Sequence, residues 1–345
     1  MTARAFITGL ATTSLTADER AFLRDADPWG LILFKRNIAD PEQVRALVDA
    51  FRSALGRDDA PVLIDQEGGR VQRLGPPHWP AYPAAAEYAR LYRGDRAAGR
   101  AAARLGARLI AHDLRALGID VDCLPLADVP QPGSDNVIGD RAYGETPEQV
   151  ADLARAAADG LADGAVLPVL KHLPGHGRAT ADSHARLPVV DAPRMELEAV
   201  DFAAFRPLAD LPMGMTAHVV FTAFDPIAPA TTSATMVREV IRGSIGFQGL
   251  LMSDDVSMGA LSGSLGERTR ASLAAGCDLA LHCNGDLAEM TAVAADAPPL
   301  AGIAASRAAA AIAARKPAKP IDLTSARKAF ADLLAGRPVD AGVLA

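Results

Sequence analysis

Residues 171–184 contain the densest group of side chains that can carry charge or transfer protons. This segment contains three of the chain's seven histidines and one of its five lysines, in a sequence with thirty arginines. A lysine among so many arginines indicates a site that needs a compact ammonium group rather than a planar guanidinium. The alternative interpretation of Lys171 is an ion pair at the rim of the fold.

Asp182 and His184 have the pattern of a general acid–base pair. They are separated by one residue, so in an extended backbone their side chains point to the same side and can hydrogen-bond. A carboxylate on one ring nitrogen fixes the tautomer of a histidine and leaves the other nitrogen to transfer a proton. An isolated pattern of this kind also fits an aspartate that caps a loop beside an exposed histidine.

Further carboxylates follow two other short apolar runs. Asp254 and Asp255 are adjacent, so only one of them can point into a pocket, and the spacing leaves open which one. Asp65 begins the segment DQEGGRVQR, where it could accept two hydrogen bonds from a diol while Arg70 and Arg73 add positive charge. The two glycines between them permit a tight backbone path, so this segment also fits a glycine turn with surface arginines.

Eight short apolar runs, each followed by a helical pattern, must position these residues. The runs lie at 5–10, 30–34, 61–65, 120–126, 165–170, 213–221, 249–252 and 278–282. Helical patterns lie at 16–24, 41–55, 97–117, 146–164, 195–209, 233–245 and 265–275, and further helical stretches follow the eighth run. Residues 66–85 are rich in Gly and Pro and are predicted to lack regular structure. Eight strand–helix units in about 300 residues predict a closed (β/α)8 TIM barrel rather than a doubly wound sheet.

In such a barrel, catalytic groups come from the carboxyl ends of the strands and from the loops that follow them. The polar residues at these predicted ends are Asp65, Lys171, His172, His218, Asp254, Asp255 and Asn284. We therefore expect them to cluster at one rim of the barrel.

The composition agrees with an α/β protein. Half of the 345 residues are apolar but only 5% are aromatic, which suits a core of Ala, Leu, Val and Ile between helices and a buried parallel sheet. An all-β sandwich is therefore disfavoured. We predict one catalytic domain over residues 1–345, with the C-terminal stretch from about residue 317 packing as an appended helical segment.

Several partner classes are disfavoured by the sequence. The formal charge is −7 and no stripe of Lys or Arg is present, which argues against nucleic acid. No run of 18 apolar residues occurs and no signal peptide is evident, so we expect no membrane segment and a cytoplasmic protein. The three cysteines form no CxxC pair, which argues against a disulfide framework or a structural zinc site. We expect a monomer without a metal or a cofactor.

The motifs DQEGGRVQR, KHLPGHG, DSH and SDDVSMGAL occur in this order between residues 30 and 284. With them the chain resembles the family 3 glycoside hydrolases, specifically the single-domain bacterial β-N-acetylglucosaminidases of peptidoglycan recycling. The resemblance implies a (β/α)8 barrel and a retaining exo-β-N-acetylglucosaminidase. Its implied substrate is a GlcNAc-containing disaccharide or muropeptide, GlcNAc-1,6-anhydroMurNAc and its peptides, from which terminal GlcNAc is removed.

The resemblance also implies roles for individual residues. Asp254 matches the nucleophile, His184 the general acid/base and Asp182 the partner of that histidine. The residues that match sugar-holding positions are Asp65, Arg73, Arg141, Lys171 and His172. Three positions depart from the common pattern, where Gln66, Leu173 and Arg178 replace the usual His, Phe and Asp. These departures bear on loop packing and substrate preference more than on chemistry.

Three other interpretations remain open. A phosphorylase of the same family is one, because a histidine acid/base repels phosphate less than a carboxylate does. A metal-dependent hydrolase is another, although the HxH motif of many such barrels is absent from the first strand. Its possible ligands are His172, His176, Asp182, His184, His218 and Asp254. A sugar-binding protein on an inactive barrel is the third.

Overall fold

The computed structural model describes residues 3–339 and residue 342, which include eight parallel strands in a closed barrel. The strands are β1 Arg4–Thr8, β2 Pro28–Leu33, β3 Val62–Ile64, β4 Val121–Asp122, β5 Leu167–Leu173, β6 Met213–Thr216, β7 Leu250–Asp255 and β8 Leu279–Leu281. Each strand pairs with its neighbour in the chain, and β8 closes the barrel by pairing with β1. The predicted (β/α)8 barrel is confirmed.

Helices surround this barrel. They are α1 Ala17–Ala26, α2 Pro41–Leu55, α3 Ala85–Gly94, α4 Arg96–Arg115, α5 Pro147–Asp163, α6 Arg194–Ala199, α7 Leu265–Ala275, α8 Leu287–Asp296, α9 Gly302–Ala313 and α10 Leu323–Leu334. A π-helical segment, Met236–Ser244, lies between β6 and β7. Single 3-10 turns lie at Lys35–Asn37, Gly139–Arg141, Arg206–Leu208 and Ala230–Thr232.

Helix α2 shows how the sequence produces these elements. The Asp40 side chain caps its N-terminus by accepting hydrogen bonds from two backbone N–H groups, and Gly56 ends it in a left-handed conformation. Four of its apolar residues recur at helical spacing and are buried, namely Val44, Leu47, Val48 and Phe51. Burying each such side chain stabilises the fold by about 1.5–3 kcal/mol.

The barrel interior has its own apolar core beneath the site. Side chains from successive strands fill it, among them Ile7, Ile32, Leu63, Val169 and Met252. Because side chains fill the interior of a TIM barrel in this way, ligand sites of such barrels lie at the carboxyl ends of the strands.

Two predicted elements are shorter than expected, and each predicted range contains a proline beyond the point where the regular structure ends. The run 120–126 forms regular strand only at Val121–Asp122, since Pro125 has no N–H to donate to the sheet. The carbonyl of Pro125 still accepts a 3.0 Å hydrogen bond from the N–H of Lys171. The predicted helix 195–209 ends at Ala199, and Pro207 lies in a separate 3-10 turn.

The predicted strand 213–221 is divided between two sheets. Residues Met213–Thr216 stay in the barrel, whereas Val220–Phe221 pairs with Val189–Val190. The loop that follows β5 returns alongside this segment and offers it a second partner.

Residues 66–85 were predicted to lack regular structure, and this prediction is wrong in part. Strands Gln66–Gly68 and Val71–Gln72 form an antiparallel hairpin, and α3 begins at Ala85. Gly68 has a φ of 94°, and a Cβ there would lie 2.3 Å from the carbonyl oxygen of Pro83. The expected tight backbone path is therefore present, but within a hairpin.

The C-terminal segment packs against the outside of the barrel. The N–H of Lys319 donates to the carbonyl of Asp163 at 2.8 Å, and Phe330 of α10 packs between Tyr82 and Tyr88. The expected domain over 1–345 includes residues 1, 2, 340, 341 and 343–345, which lie outside the described residues. Across the described part of the chain, no helix has the length and apolar character needed to cross a membrane.

Candidate active site

A cavity of about 430 Å³ opens at the carboxyl ends of the barrel strands. Its volume lies within the range of about 300–1,000 Å³ that is typical of small-molecule sites. All eight predicted site residues line it, namely Asp65, Arg73, Arg141, Lys171, His172, Asp182, His184 and Asp254. Asn284 also lines the cavity, whereas His218 lies fully buried beneath it.

The hydrogen bonds of Asp254 and Asp255 distinguish the two carboxylates. Asp255 accepts from the N–H and the hydroxyl of Ser257 at 2.9 and 2.7 Å and from the N–H of Cys283 at 3.3 Å. Asp254 accepts only the N–H of Asp255, at 2.8 Å through Oδ1, among the described residues. Asp255 therefore organises the turn after β7, and Oδ2 of Asp254 remains free at the cavity.

Two histidines favour the ionised form of Asp254. Burial disfavours the charged carboxylate, but His218, His172 and the N–H of Asp255 keep the pKa of Asp254 below its usual value. His218 is held beneath it, with Nε2 donating to the carbonyl of Asp255 at 2.9 Å. A free, ionised carboxylate at this position has the properties of a nucleophile.

The loop after β5 brings Asp182 and His184 to the cavity edge as a hydrogen-bonded pair. Oδ1 of Asp182 lies 2.7 Å from Nδ1 of His184 and also accepts its backbone N–H at 2.9 Å. The N–H of Ala185 donates to the carbonyl of Asp182, so the pair lies in a turn and not in the expected extended backbone. Burial would raise the pKa of Asp182, but the two hydrogen bonds from His184 lower it.

His184 is consequently arranged to transfer a proton at Nε2. Its side chain is 69% exposed, so the ring can reach a ligand in the cavity. Because Nδ1 is engaged by an ionised carboxylate, the remaining nitrogen is the one available to a substrate.

A chain of alternating charges forms one side of the cavity. Asp65 accepts from Arg73 at 2.8 Å and from Lys171 at 3.0 Å. Lys171 also lies 2.7 Å from Glu67, which binds Arg141 through two hydrogen bonds of 2.8 and 2.9 Å. With three cations and two carboxylates, the chain carries a net charge of +1, which suits it to bind sugar oxygen atoms.

The neighbouring charges hold Asp65, Lys171 and Arg141 in their ionised forms. Burial disfavours the charged form of both Asp65 and Lys171, but their mutual attraction lowers the pKa of Asp65 and raises that of Lys171. Burial alone would likewise lower the pKa of Arg141, and the Glu67 carboxylate more than offsets this effect and raises it.

Glu67 was not among the predicted site residues. Its position next to the glycine pair of DQEGGRVQR was the available signal, but its partners Arg141 and Lys171 lie far along the chain. Its side chain is 5% exposed and touches both of them.

Asp128 is a second site residue that the sequence did not reveal. Its Oδ2 lies 2.7 Å from Nδ1 of His172, and its Oδ1 accepts the N–H of His176 at 2.6 Å. The bond to Nδ1 leaves Nε2 of His172 without a partner among the described residues. Asp128 therefore orients His172 toward the cavity.

His176 connects this cluster to the loop that carries the acid–base pair. Its Nε2 lies 3.1 Å from the hydroxyl of Ser183, which stands between Asp182 and His184. Burial, with a smaller effect of His172, lowers the pKa of His176 to about 4, so the ring is neutral near pH 7. His176 therefore stabilises the position of the loop through a hydrogen bond from a neutral ring.

The departures from the common motif have structural partners of their own. Oε1 of Gln66 accepts from the N–H groups of Arg73 and Leu74 at 2.9 and 3.0 Å, which fixes the hairpin. Arg178 forms ion pairs with Glu196 and Asp201 at 2.6 and 3.0 Å. Both residues therefore stabilise loops around the site.

The described residues contain no group of three or more His, Cys, Asp or Glu side chains arranged to hold a metal ion. Of the six side chains considered as possible metal ligands, His172 pairs with Asp128, His176 with Ser183, and Asp182 with His184.

Comparison with known proteins places this geometry in a family. A model described as the glycosyl hydrolase family 3 N terminal domain matches residues 6–309. The chain belongs to glycosyl hydrolase family 3. As a family 3 member, this protein is a glycoside hydrolase, and the interpretation as an inactive binding protein is wrong.

Individual family 3 relatives are similar over most of their length. A beta-hexosaminidase of Alkalilimnicola ehrlichii is 43% identical over 279 residues, or 80% of this chain and 79% of that protein. One from Methylococcus capsulatus is 39% identical over 273 residues, or 78% and 80% respectively. The structure of NagZ from Neisseria gonorrhoeae in complex with N-trifluoroacetyl-D-glucosamine is 30% identical, with a TM-score of 0.84 over 100% of this chain and 99% of that one.

Proposed function

We propose that this protein is a retaining exo-β-N-acetylglucosaminidase that removes terminal GlcNAc from peptidoglycan fragments. The observation that carries the proposal is the free carboxylate oxygen of Asp254, which shares one cavity with the Asp182–His184 pair. The beta-hexosaminidase relatives support a hexosamine as the sugar. The proposed substrates are GlcNAc-1,6-anhydroMurNAc and its peptides.

The reaction begins when Oδ2 of Asp254 attacks the anomeric carbon while Nε2 of His184 protonates the departing oxygen. A covalent glycosyl–enzyme forms and the aglycone leaves. His184, now neutral, then removes a proton from water, which attacks the same carbon and releases the sugar with its configuration retained. Asp182 holds His184 through Nδ1 and leaves Nε2 available for both proton transfers.

The charged side of the cavity holds the sugar during both steps. Asp65 is positioned to accept hydrogen bonds from ring hydroxyls, and His172 presents Nε2 to the ligand. Arg73, Lys171 and Arg141 supply hydrogen-bond donors that orient the sugar and bind its oxygen atoms more strongly in the transition state. This assignment gives the binding of the sugar to the charged side of the cavity and the reaction itself to Asp254 and His184.

The assembly and location of the protein are part of the same proposal. We infer a cytoplasmic monomer that acts as one catalytic domain without a cofactor or a metal. The C-terminal segment from about residue 317 belongs to this domain, as its packing against α4 supports.

Asp254→Ala tests the nucleophile. We expect turnover of p-nitrophenyl β-N-acetylglucosaminide to be abolished while circular dichroism shows an intact fold. Azide fits the space left by the carboxylate and should attack from the same face, which gives an α-glycosyl azide. Near-normal turnover by the variant, or no azide product, would contradict the assignment.

His184→Ala tests the acid role by its dependence on the leaving group. A disaccharide needs protonation of its leaving oxygen, so its kcat/KM should fall by about 10²–10⁴-fold, whereas a dinitrophenyl glycoside should be much less affected. Equal losses on both substrates would count against the role.

Sugar 1-phosphate formed in phosphate buffer would identify a phosphorylase, and loss of activity after exhaustive chelation would favour the metal-dependent alternative.

A further inference from the structure

Arg36 lies at the cavity on the side formed by β1, β2 and β8. It belongs to the 3-10 turn that follows β2, and its side chain lines the cavity. Its Nε donates to the carbonyl of Leu10 at 2.9 Å, and Nη2 donates to the carbonyl of Cys283. The guanidinium carbon lies 4.9 Å from the centre of the Phe34 ring. These contacts hold the guanidinium in one place.

Arg36 differs from the other lysine and arginine side chains that line the cavity. The others each form an ion pair with a carboxylate, namely Arg70 with Asp140, Arg73 with Asp65, Arg141 with Glu67, and Lys171 with Asp65 and Glu67. Within residues 3–339 and 342, Arg36 has no carboxylate within 4 Å, and its Nη1 donates to no residue. Its positive charge is therefore not neutralised by the protein.

The direction of the pKa shift of Arg36 agrees with a positive charge that the protein does not neutralise. Burial lowers the pKa of Arg36, and the more distant charge of Asp255 does not offset this effect. Arg141, by contrast, has its pKa raised by a direct carboxylate partner. Since an arginine stays protonated in either case, an incoming anion at Arg36 would gain a charge-assisted hydrogen bond without displacing a protein carboxylate.

We infer that Arg36 and its free Nη1 form a subsite for a carboxylate on the leaving portion of the substrate. This inference rests on the proposed function. An N-acetylated hexosamine at the non-reducing end is neutral, so any negative charge that the enzyme recognises must lie on the aglycone. The exposed position of Arg36 suits a group that extends out of the cavity.

The alternative role of Arg36 is purely structural, because its two carbonyl contacts join the loops after β1 and β8. The two roles predict different substrate dependence. Loss of a structural contact affects all substrates alike, whereas loss of an anion contact affects only substrates that carry the anion.

The test compares GlcNAc-1,6-anhydroMurNAc, which has a free lactyl carboxylate, with its methyl ester. For the Arg36→Gln variant, kcat/KM for the acid is divided by kcat/KM for the ester. We expect this acid-to-ester ratio to fall about tenfold or more, because the variant loses a hydrogen bond to a charged group. Arg36→Lys keeps the charge and should restore part of the ratio. Added NaCl should weaken use of the acid by the unaltered protein more than use of the ester.

Arg70→Gln is the matched control. Arg70 also lines the cavity and contacts backbone carbonyls, but it is already paired with Asp140 at 2.8 Å. We expect this variant to leave the acid-to-ester ratio unchanged. An equal fall for acid and ester in Arg36→Gln, or no change in the ratio, would overturn the inference.

Two further outcomes separate the possible failures. If the unaltered protein does not hydrolyse p-nitrophenyl β-N-acetylglucosaminide, the proposed function fails. If it does, and the ratio is insensitive to Arg36, only the anion subsite fails. A peptide-substituted substrate, whose lactyl carboxyl is an amide, distinguishes a lactyl carboxylate from a peptide carboxylate as the group bound.

Discussion

Glu67 contacts two buried cations at once. It accepts two hydrogen bonds from Arg141 and lies 2.7 Å from Lys171, whose side chain is 2% exposed. Removal of one partner from a buried charge cluster costs more than the cluster itself contributes, because the remaining charges stay buried without compensation. Glu67 is therefore a positioning residue for the side chains that face the sugar.

The Glu67→Gln variant should show this cost directly. It leaves Arg141 without a carboxylate, so we expect the free energy of unfolding to fall by roughly 3–5 kcal/mol, measured by urea denaturation. We also expect a higher KM for p-nitrophenyl β-N-acetylglucosaminide, since Lys171 would be held by Asp65 alone.

Asp140→Asn provides the control for Glu67→Gln. It breaks the Arg70–Asp140 pair, in which both side chains are nearly half exposed. Such a pair contributes less than about 1 kcal/mol, so stability should change little. Equal destabilisation by the two variants would show that the burial of Glu67 is unimportant.

Two loops that follow different strands are hydrogen-bonded to each other at the site. The N–H groups of Gly259 and Ala260, after β7, donate to the carbonyls of His184 and Ser183, after β5, at 3.3 and 3.1 Å. The first loop follows the candidate nucleophile and the second carries the candidate acid. This contact couples the positions of the two reacting groups.

Gly259→Ala should disturb that coupling. A Cβ at Gly259 would lie 2.9 Å from the carbonyl oxygen of His184 and 3.0 Å from that of Ala185, so the loop must shift. Misplacement of a catalytic group can cost up to about 10²-fold in rate. We expect kcat for a disaccharide to fall by roughly 10–100-fold and kcat for a dinitrophenyl glycoside to fall less.

Gly94→Ala is the control substitution for Gly259→Ala, because a Cβ at this position in α3 meets no atom within 4 Å. Its activity on both substrates should match that of the unaltered protein. If Gly259→Ala behaves like Gly94→Ala, the contact between the two loops does not position His184.

At the scale of the whole molecule, α10 covers the outer surface of α3 and α4. The Phe330 ring, 9% exposed, lies 6.3 Å from the ring of Tyr82 and 6.4 Å from that of Tyr88. No described residue of α10 lines the cavity. The helix therefore contributes to stability rather than to chemistry.

The expected effect of Phe330→Ala is a loss of about 3–5 kcal/mol in the free energy of unfolding, measured by urea denaturation, with KM unchanged. Ile303→Ala is the control, because Ile303 is 68% exposed and its truncation should cost less than about 0.5 kcal/mol. If Phe330→Ala unfolds with the stability of the unaltered protein, α10 is not part of the cooperative domain.

The barrel could be predicted because its signal is local and repeated. Each strand is a short apolar run and each helix has its own spacing and cap, as the agreement over α2 and α7 shows. Two segments were misassigned because hydrogen-bond partners that the local apolar pattern does not reveal decide their structure. Val220–Phe221 pairs with Val189–Val190 instead of extending the barrel strand. The hairpin that begins at Gln66 is fixed by the hydrogen bonds that its side-chain oxygen accepts from the N–H groups of Arg73 and Leu74.

The sequence by itself determined which reactive residue types stand at the strand ends, because the carboxyl ends of parallel barrel strands must meet at one rim. Only the tertiary structure decided how those residues are used. It distinguished Asp254 from Asp255, revealed Glu67 and Asp128, and left Arg36 without a carboxylate. The roles of Glu67 and Asp128 depend on partners that are far away in the chain, 74 residues for Glu67 and Arg141 and 44 for Asp128 and His172. Hydrogen bonding and burial depend on distance in space, which the order of residues does not specify.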